Sequence, residues 1–167
     1  SIGIALFNDQ SASVDELLKQ ADLAMYHSKD AGRNTLHFFD PSMSANAVTR
    51  AALEFDLRHA VEKENGQLAL HFQPQVQADG SVVSVEALLR WAHPTRGSIP
   101  PMEFIPIAED SGLIIPLGNW VLERACLHLR DWADVPHLAQ VSIAINVSAH
   151  QFREERFVDL VAQALQR

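Results

Sequence analysis

The sequence predicts an α/β fold in two pieces joined by a helix, and three observations carry that prediction. Strand and helix patterns run β-α-β before residue 44 and β-β-α-α-β-α after residue 64, an order suited to a sheet covered by helices. Residues 44–64, between the two, are rich in Ala, Leu, Glu and Arg and contain neither Gly nor Pro. Finally, the strand patterns at 82–91 and 141–148 each set an apolar face against a face bearing polar or charged groups.

Taken in order, "SIGIAL" at residues 1–6 reads as a strand followed by a polar turn. Ser13 and Glu16 have the spacing of a capping box. Val14, Leu17, Leu18, Ala21, Ala24, Met25 and Ser28 keep the helical period, and Gly32 suits the position just past a helix end. "NTLHFF", residues 34–39, is a short strand, and "DPS", residues 40–42, a turn. The helix at 44–64, ended by Asn65 and Gly66, is expected to be a stiff spacer. This divides the chain into 1–43, 44–64 and 65–167. Strands follow at 67–76 and 82–91. Then come a loop with Pro94, Gly97, Pro100 and Pro101, helices at 102–112 and 118–132, a strand at 141–148 and a helix at 157–166.

On the strand at 82–91, Val83, Val85, Ala87, Leu89 and Trp91 share one face, and Ser84, Glu86, Leu88 and Arg90 the other. A lone buried ion costs several kcal/mol, so in a central strand Glu86 requires a partner, a metal or a ligand. The strand at 141–148 repeats the pattern, with Val141, Ile143, Ile145 and Val147 opposite Ser142, Ala144, Asn146 and Ser148. An antiparallel sheet with its polar face in water would show the same alternation. The helices that follow favour a parallel sheet curved toward a (β/α) barrel. There the polar face points inward, and groups near the strand C-termini line the mouth of a site. Gln73, Glu86 and Asn146 lie toward those ends. Glu86 and Asn146 offer oxygen ligands of the kind Mg²⁺ or Mn²⁺ takes. Arg90 lies ~13 Å along the strand from Glu86, at ~3.3 Å per residue. That spacing suits an anion at the rim, or equally a surface ion pair with an acidic neighbour.

Thirteen Lys plus Arg against twenty-one Asp plus Glu give a net charge of −8, which argues against DNA, RNA or anionic membrane as partner. Cys126 is the single cysteine, so no intrachain disulfide forms and a reducing, cytoplasmic location is expected, with any membrane anchor of a longer parent lying upstream. The absence of an initiating Met and the stop inside a helical pattern suggest that both ends are cuts in a longer chain. The eight histidines show no HxH or HxxxH spacing. Cys126, inside a helix, reads as a small packed hydrophobe. For Glu103 and Glu109, which flank "FIPIA", substrate-side and structural roles stay open.

Four ordered blocks, "FQPQV", "VEALLRW", "GSIPPMEFIPIAEDSGLIIPLGNWVL" and "INVSAHQF", closely resemble the EAL family of cyclic di-GMP phosphodiesterases. The resemblance implies a TIM-like barrel, hydrolysis of cyclic di-GMP to linear pGpG, and a site holding Mg²⁺ or Mn²⁺. Position by position, it implies Glu86 and Asn146 as metal ligands and Gln73 and Arg90 as substrate contacts, Arg90 toward a phosphate. "SIGIA", "ADLAMYHSKDAGRN" and the next strand resemble the closing part of a GGDEF diguanylate cyclase domain. There Lys29 and Arg33 would contact nucleotide phosphates, with GTP as that part's ligand in the parent. Ser28 stands where that family more often has Ala, a mild departure. A lysine near a helix C-terminus also simply complements the helix dipole.

The expected architecture is therefore the end of a GGDEF α/β sheet domain, a linker helix, and the first strands and helices of an incomplete TIM-like barrel. A full barrel takes eight strands and ~250 residues, and three strands are expected here. Two-metal hydrolysis needs further ligands from later strands, so catalysis is expected of the parent, a homodimer, and not of this chain alone. A non-catalytic cyclic di-GMP receptor, or a regulatory EAL portion attached to an active cyclase, are the rival readings.

Overall fold

The computed structural model describes residues 1–7 and 13–166. The polar turn expected after the first strand lies outside the described residues. The chain forms two compact units, 1–53 and 54–167.

In the first unit, β1 (Ile2–Ile4) and β2 (Leu36–Phe38) pair in parallel across α1 (Val14–Asp30), with Gly3 opposite His37. The Ser13 hydroxyl accepts the Glu16 N–H at 3.2 Å, and Asp15 and Glu16 in the first turn complement the helix dipole. At the other end Gly32 takes the left-handed conformation, φ 99°. Ser28 is fully buried, its hydroxyl 3.0 Å from the Ile2 carbonyl, 3.1 Å from that of Ala24 and 3.0 Å from His37 Nδ1. The serine that looked like a mild departure thus ties α1 to both strands.

Helix and sheet touch so closely at Gly3 that a methyl group there would overlap the Ala21 carbonyl and the Met25 backbone. Gly3→Ala is expected to destabilise the protein by about 1–3 kcal/mol or more, the cost of overpacking. A lowered midpoint of chemical denaturation would register it; an unchanged midpoint would mean that α1 withdraws from β1 without cost.

α2 (Pro41–Lys63) contains the division between the units. It begins earlier than residue 44 because the expected turn is the helix start. Proline fits the first helical position, and the Asp40 carboxylate accepts the Ser42 N–H at 2.9 Å. Hydrogen bonds from the Ser42 hydroxyl and then its N–H hold the Asp40 carboxyl below its usual range.

The second unit is built on β3 (Leu68–Val76), β4 (Val82–His93), β5 (Gly97–Ile99) and β6 (Ser142–Ile145). β3 runs antiparallel to β4 along one edge, while β5 and β6 share the other. Two expectations are corrected. The sheet is mixed: β4 and β6 are parallel, but β3–β4 and β4–β5 are antiparallel, since a short turn can reverse a strand but cannot return it parallel. The stretch read as a loop contains β5, admitted by Gly97 at φ 72°. The crossover from β4 to β6 passes through α3 (Pro101–Ser111) and α4 (Ile114–Ala133). α4 starts before residue 118 because Gly112, φ 77°, ends α3 and lets the next helix begin almost at once. α5 (Ala149–Phe152) and α6 (Phe157–Leu165) follow β6, α5 being one turn that the sequence pattern does not announce.

The alternation on β4 holds at Val85, Ala87 and Trp91, while Val83, near the start of the strand, is exposed and Leu89 is half-buried. Val85, Ala87 and Trp91 are buried with Phe104 and Ile107 of α3 and Leu117 and Val121 of α4. Trp91 meets the Phe104 ring edge-on at 5.5 Å. His93, also buried, pins the end of β4 to α2: its Nε2 lies 3.1 Å from Asp56 and its Nδ1 accepts the Arg96 N–H at 3.1 Å. Among the described residues no helix is long and apolar enough to cross a membrane.

Candidate functional site

The polar face of the sheet is assembled by register. Gln73 lies directly opposite Glu86 on the antiparallel side, and Ala144 directly opposite Glu86 on the parallel side. Paired residues share a face, and side chains alternate, so Asn146, two residues past Ala144, joins Gln73 and Glu86. Its Nδ2 donates to Glu86 Oε1 at 2.7 Å, a short hydrogen bond between residues sixty apart in sequence. Gln73 and Asn146 are exposed and Glu86 is half-buried. The bond brings a carboxylate and a carboxamide together, and both groups carry oxygen donors of the type Mg²⁺ or Mn²⁺ takes. Among the described residues, no group of three or more His, Cys, Asp or Glu could complete such a shell.

Arg90 sits four residues beyond Glu86 on the same strand, and its guanidinium donates to the Leu89 carbonyl at 2.9 Å. Together with Glu109, Gly118, Asn146, Ser148 and Gln151 it borders a cleft of about 260 Å³. Glu103, by contrast, is exposed in the first turn of α3, so of the two acidic residues flanking "FIPIA" only Glu109 reaches this cleft. A second cleft lies between α2, β3 and α4, but its cation, Arg124, is already paired with Glu64 at 2.6 Å and stands over the Trp120 ring.

In the first unit, Lys29 occupies the last turn of α1 and Arg33 follows it in the left-handed conformation, φ 63°, both exposed. Cys126 is half-buried. Burial, and then the Glu123 carboxylate, push its thiol up, so it stays protonated at neutral pH and is unsuited to act as a nucleophile.

Gln151 was not singled out from the sequence, although "SAHQ" at 148–151 has the S-x-x-Q form of a capping box. The box is complete: Ser148 Oγ accepts the Gln151 N–H and Gln151 Oε1 accepts the Ser148 N–H, each at 3.1 Å.

The family model described as EAL domain matches residues 54–167, which are the second compact unit. The chain belongs to the EAL-domain family. Over all of its length it is 50% identical to the bifunctional diguanylate cyclase/cyclic di-GMP phosphodiesterase MucR of Pseudomonas aeruginosa, of which it covers 24%. It is 39% identical, over 99% of its length, to the cyclic di-GMP phosphodiesterase PdeR of Escherichia coli, again covering 24%. The chain thus spans about a quarter of the length of these relatives. Among solved structures, the PaMucR phosphodiesterase in complex with c-di-GMP superposes with a TM-score of 0.65 at 50% identity, over 70% of this chain and 46% of that one. The EAL unit therefore has a mixed α/β fold of the same kind.

Proposed function

We propose that the protein acts in cyclic di-GMP signalling as an EAL-type phosphodiesterase that cleaves cyclic di-GMP to linear pGpG, with Mg²⁺ or Mn²⁺ held in part by Glu86 and Asn146. The observation that carries this reading is the 2.7 Å bond joining those two side chains on the face they share with Gln73. A cation held there in part by Glu86 and Asn146 would polarise the phosphodiester and lower the pKa of water, so that hydroxide could attack phosphorus and the ribose 3′-oxygen could leave. The residues of this chain do the rest of what its share of the site requires. Glu86 supplies the negative charge that a cation needs on a half-buried strand. Arg90, at the rim, can grip a phosphate through two parallel hydrogen bonds, and Gln73 can hold the substrate across from Glu86. Relatives named cyclic di-GMP phosphodiesterases and a neighbour solved with c-di-GMP support the choice of substrate.

On the same reading residues 1–43 close a GGDEF domain, 44–64 are the linker and first helix of the EAL portion, and 65–167 are the N-terminal part of the EAL domain that opens the barrel. Lys29 and Arg33 would turn toward the phosphates of GTP, and the parent would be a cytoplasmic homodimer. The β-α-β arrangement of the first unit supports the GGDEF reading, as does the full-length match to a relative named a bifunctional cyclase and phosphodiesterase.

The test is chromatographic. The full-length protein, supplied with cyclic di-GMP and Mg²⁺, is expected to release pGpG, to stop when EDTA removes the metal and to resume when Mn²⁺ is added. Tight cyclic di-GMP binding in EDTA, with no product at any metal concentration, would make the protein a receptor instead.

A further inference from the structure

Asn146 stands outside regular structure: β6 ends at Ile145 and α5 begins at Ala149, leaving 146–148 as loop. A ligand on such a loop loses precision unless something holds the backbone beneath it. Gln151 does so. It is only 5% exposed, and its Oε1 takes the Ser148 N–H while its own N–H goes to the Ser148 hydroxyl. The far end of the side chain rests on α4 at Gly118, where a methyl group would overlap the Gln151 amide. α5 has four residues, too short to be stabilised usefully as a helix, so the box serves chiefly to locate the loop.

We propose that Gln151 is a positioning residue of the metal site: seated in the gap that Gly118 leaves on α4, it sets residues 146–148 so that Asn146 meets Glu86. The inference rests on the reading of Glu86 and Asn146 as the pair that holds the cation. Gln151 touches neither the cation nor the substrate; it acts through the Ser148 backbone.

The experiment is a titration of the full-length protein with Mn²⁺ alone, followed by calorimetry and by the electron paramagnetic resonance of free Mn²⁺. Gln151→Met fills the same space but cannot accept the Ser148 N–H. It is expected to bind Mn²⁺ roughly 10–100-fold more weakly, the range seen when outer-shell partners of metal ligands are lost, while the metal-free protein still unfolds in one cooperative transition, somewhat below the wild type because the Ser148 N–H has lost its acceptor. Gln151→Glu keeps the acceptor, as capping boxes allow, and is expected to bind Mn²⁺ like the wild type. Wild-type affinity in Gln151→Met would overturn the proposal. Should that variant fail to fold, Gly118→Ala decides, since its methyl group would displace the Gln151 amide from its seat: a tenfold or greater loss of Mn²⁺ affinity supports the role and wild-type affinity removes it. Glu86→Gln runs alongside. If it binds Mn²⁺ like the wild type, the cation-pair reading falls and the positioning role falls with it. If it loses Mn²⁺ while Gln151→Met does not, the positioning role alone falls.

Discussion

Glu86→Gln, made in the full-length protein, is expected to lower metal-dependent release of pGpG by more than about 100-fold, beyond the upper end of what losing an outer-shell partner costs. The substitution is nearly isosteric. A glutamine oxygen can still accept the Asn146 amide that now lies 2.7 Å from Glu86 Oε1, so the link from β4 to β6 survives. What disappears is the negative charge, and a neutral carboxamide is a far poorer partner for a divalent cation. Activity should therefore fall while the melting temperature of the metal-free protein holds or rises, because a half-buried charge has been removed. Initial rates over a range of Mg²⁺ and Mn²⁺ concentrations provide the check. Turnover at the wild-type level would end the assignment of Glu86 as a metal ligand.

The largest effect on stability is expected at Trp91. Its side chain is 0% exposed, its indole N–H donates to Gln67 Oε1 at 3.1 Å, and its ring meets Phe104 and His93 edge-on, each at 5.5 Å. Trp91→Ala leaves a cavity between β4 and α3 and an unpaired Gln67 amide, at a cost of about 3–5 kcal/mol. Domains are stable by about 5–15 kcal/mol, so this single change removes a large share of the total. Trp91→Phe retains most of the volume and loses chiefly the bond to Gln67, and so should cost much less. Urea denaturation followed by circular dichroism avoids the fluorescence change that losing a tryptophan brings. A shift below about 1 kcal/mol for Trp91→Ala would mean that α3 collapses onto β4, contrary to the usual partial relaxation of a core.

These two positions also mark how far the sequence can be read. On β4 the two-residue period sorts Val85, Ala87 and Trp91 from Glu86 and Arg90 before any partner is known, and the burial of the first three follows that division. Helix ends were legible where the chemistry is local, as at Ser13 and Gly32. They were misread where a turn signal doubles as a helix start, as at Asp40–Pro41, or where a glycine does not stop a helix, as at Gly118. β5 was missed because three residues are too few to show a period. Ser28 looked incidental because its partners are Ile2, 26 residues back, and His37, on the strand beyond.

The amino-acid sequence alone determined which residues could share a face, the chemical types available there, and, through its ordered motifs, the family. Pairing was decided only in three dimensions. Gln73 stands opposite Glu86 because a short turn reverses the chain between β3 and β4, and Asn146 reaches Glu86 because α3 and α4, packed on the apolar face, return the chain parallel. Periodicity repeats every two residues and is carried locally, whereas register is set by the turns and by helices packed across sixty residues of intervening chain. The seating of Gln151 against Gly118 belongs to the same class, a fit between two elements that neither one specifies on its own.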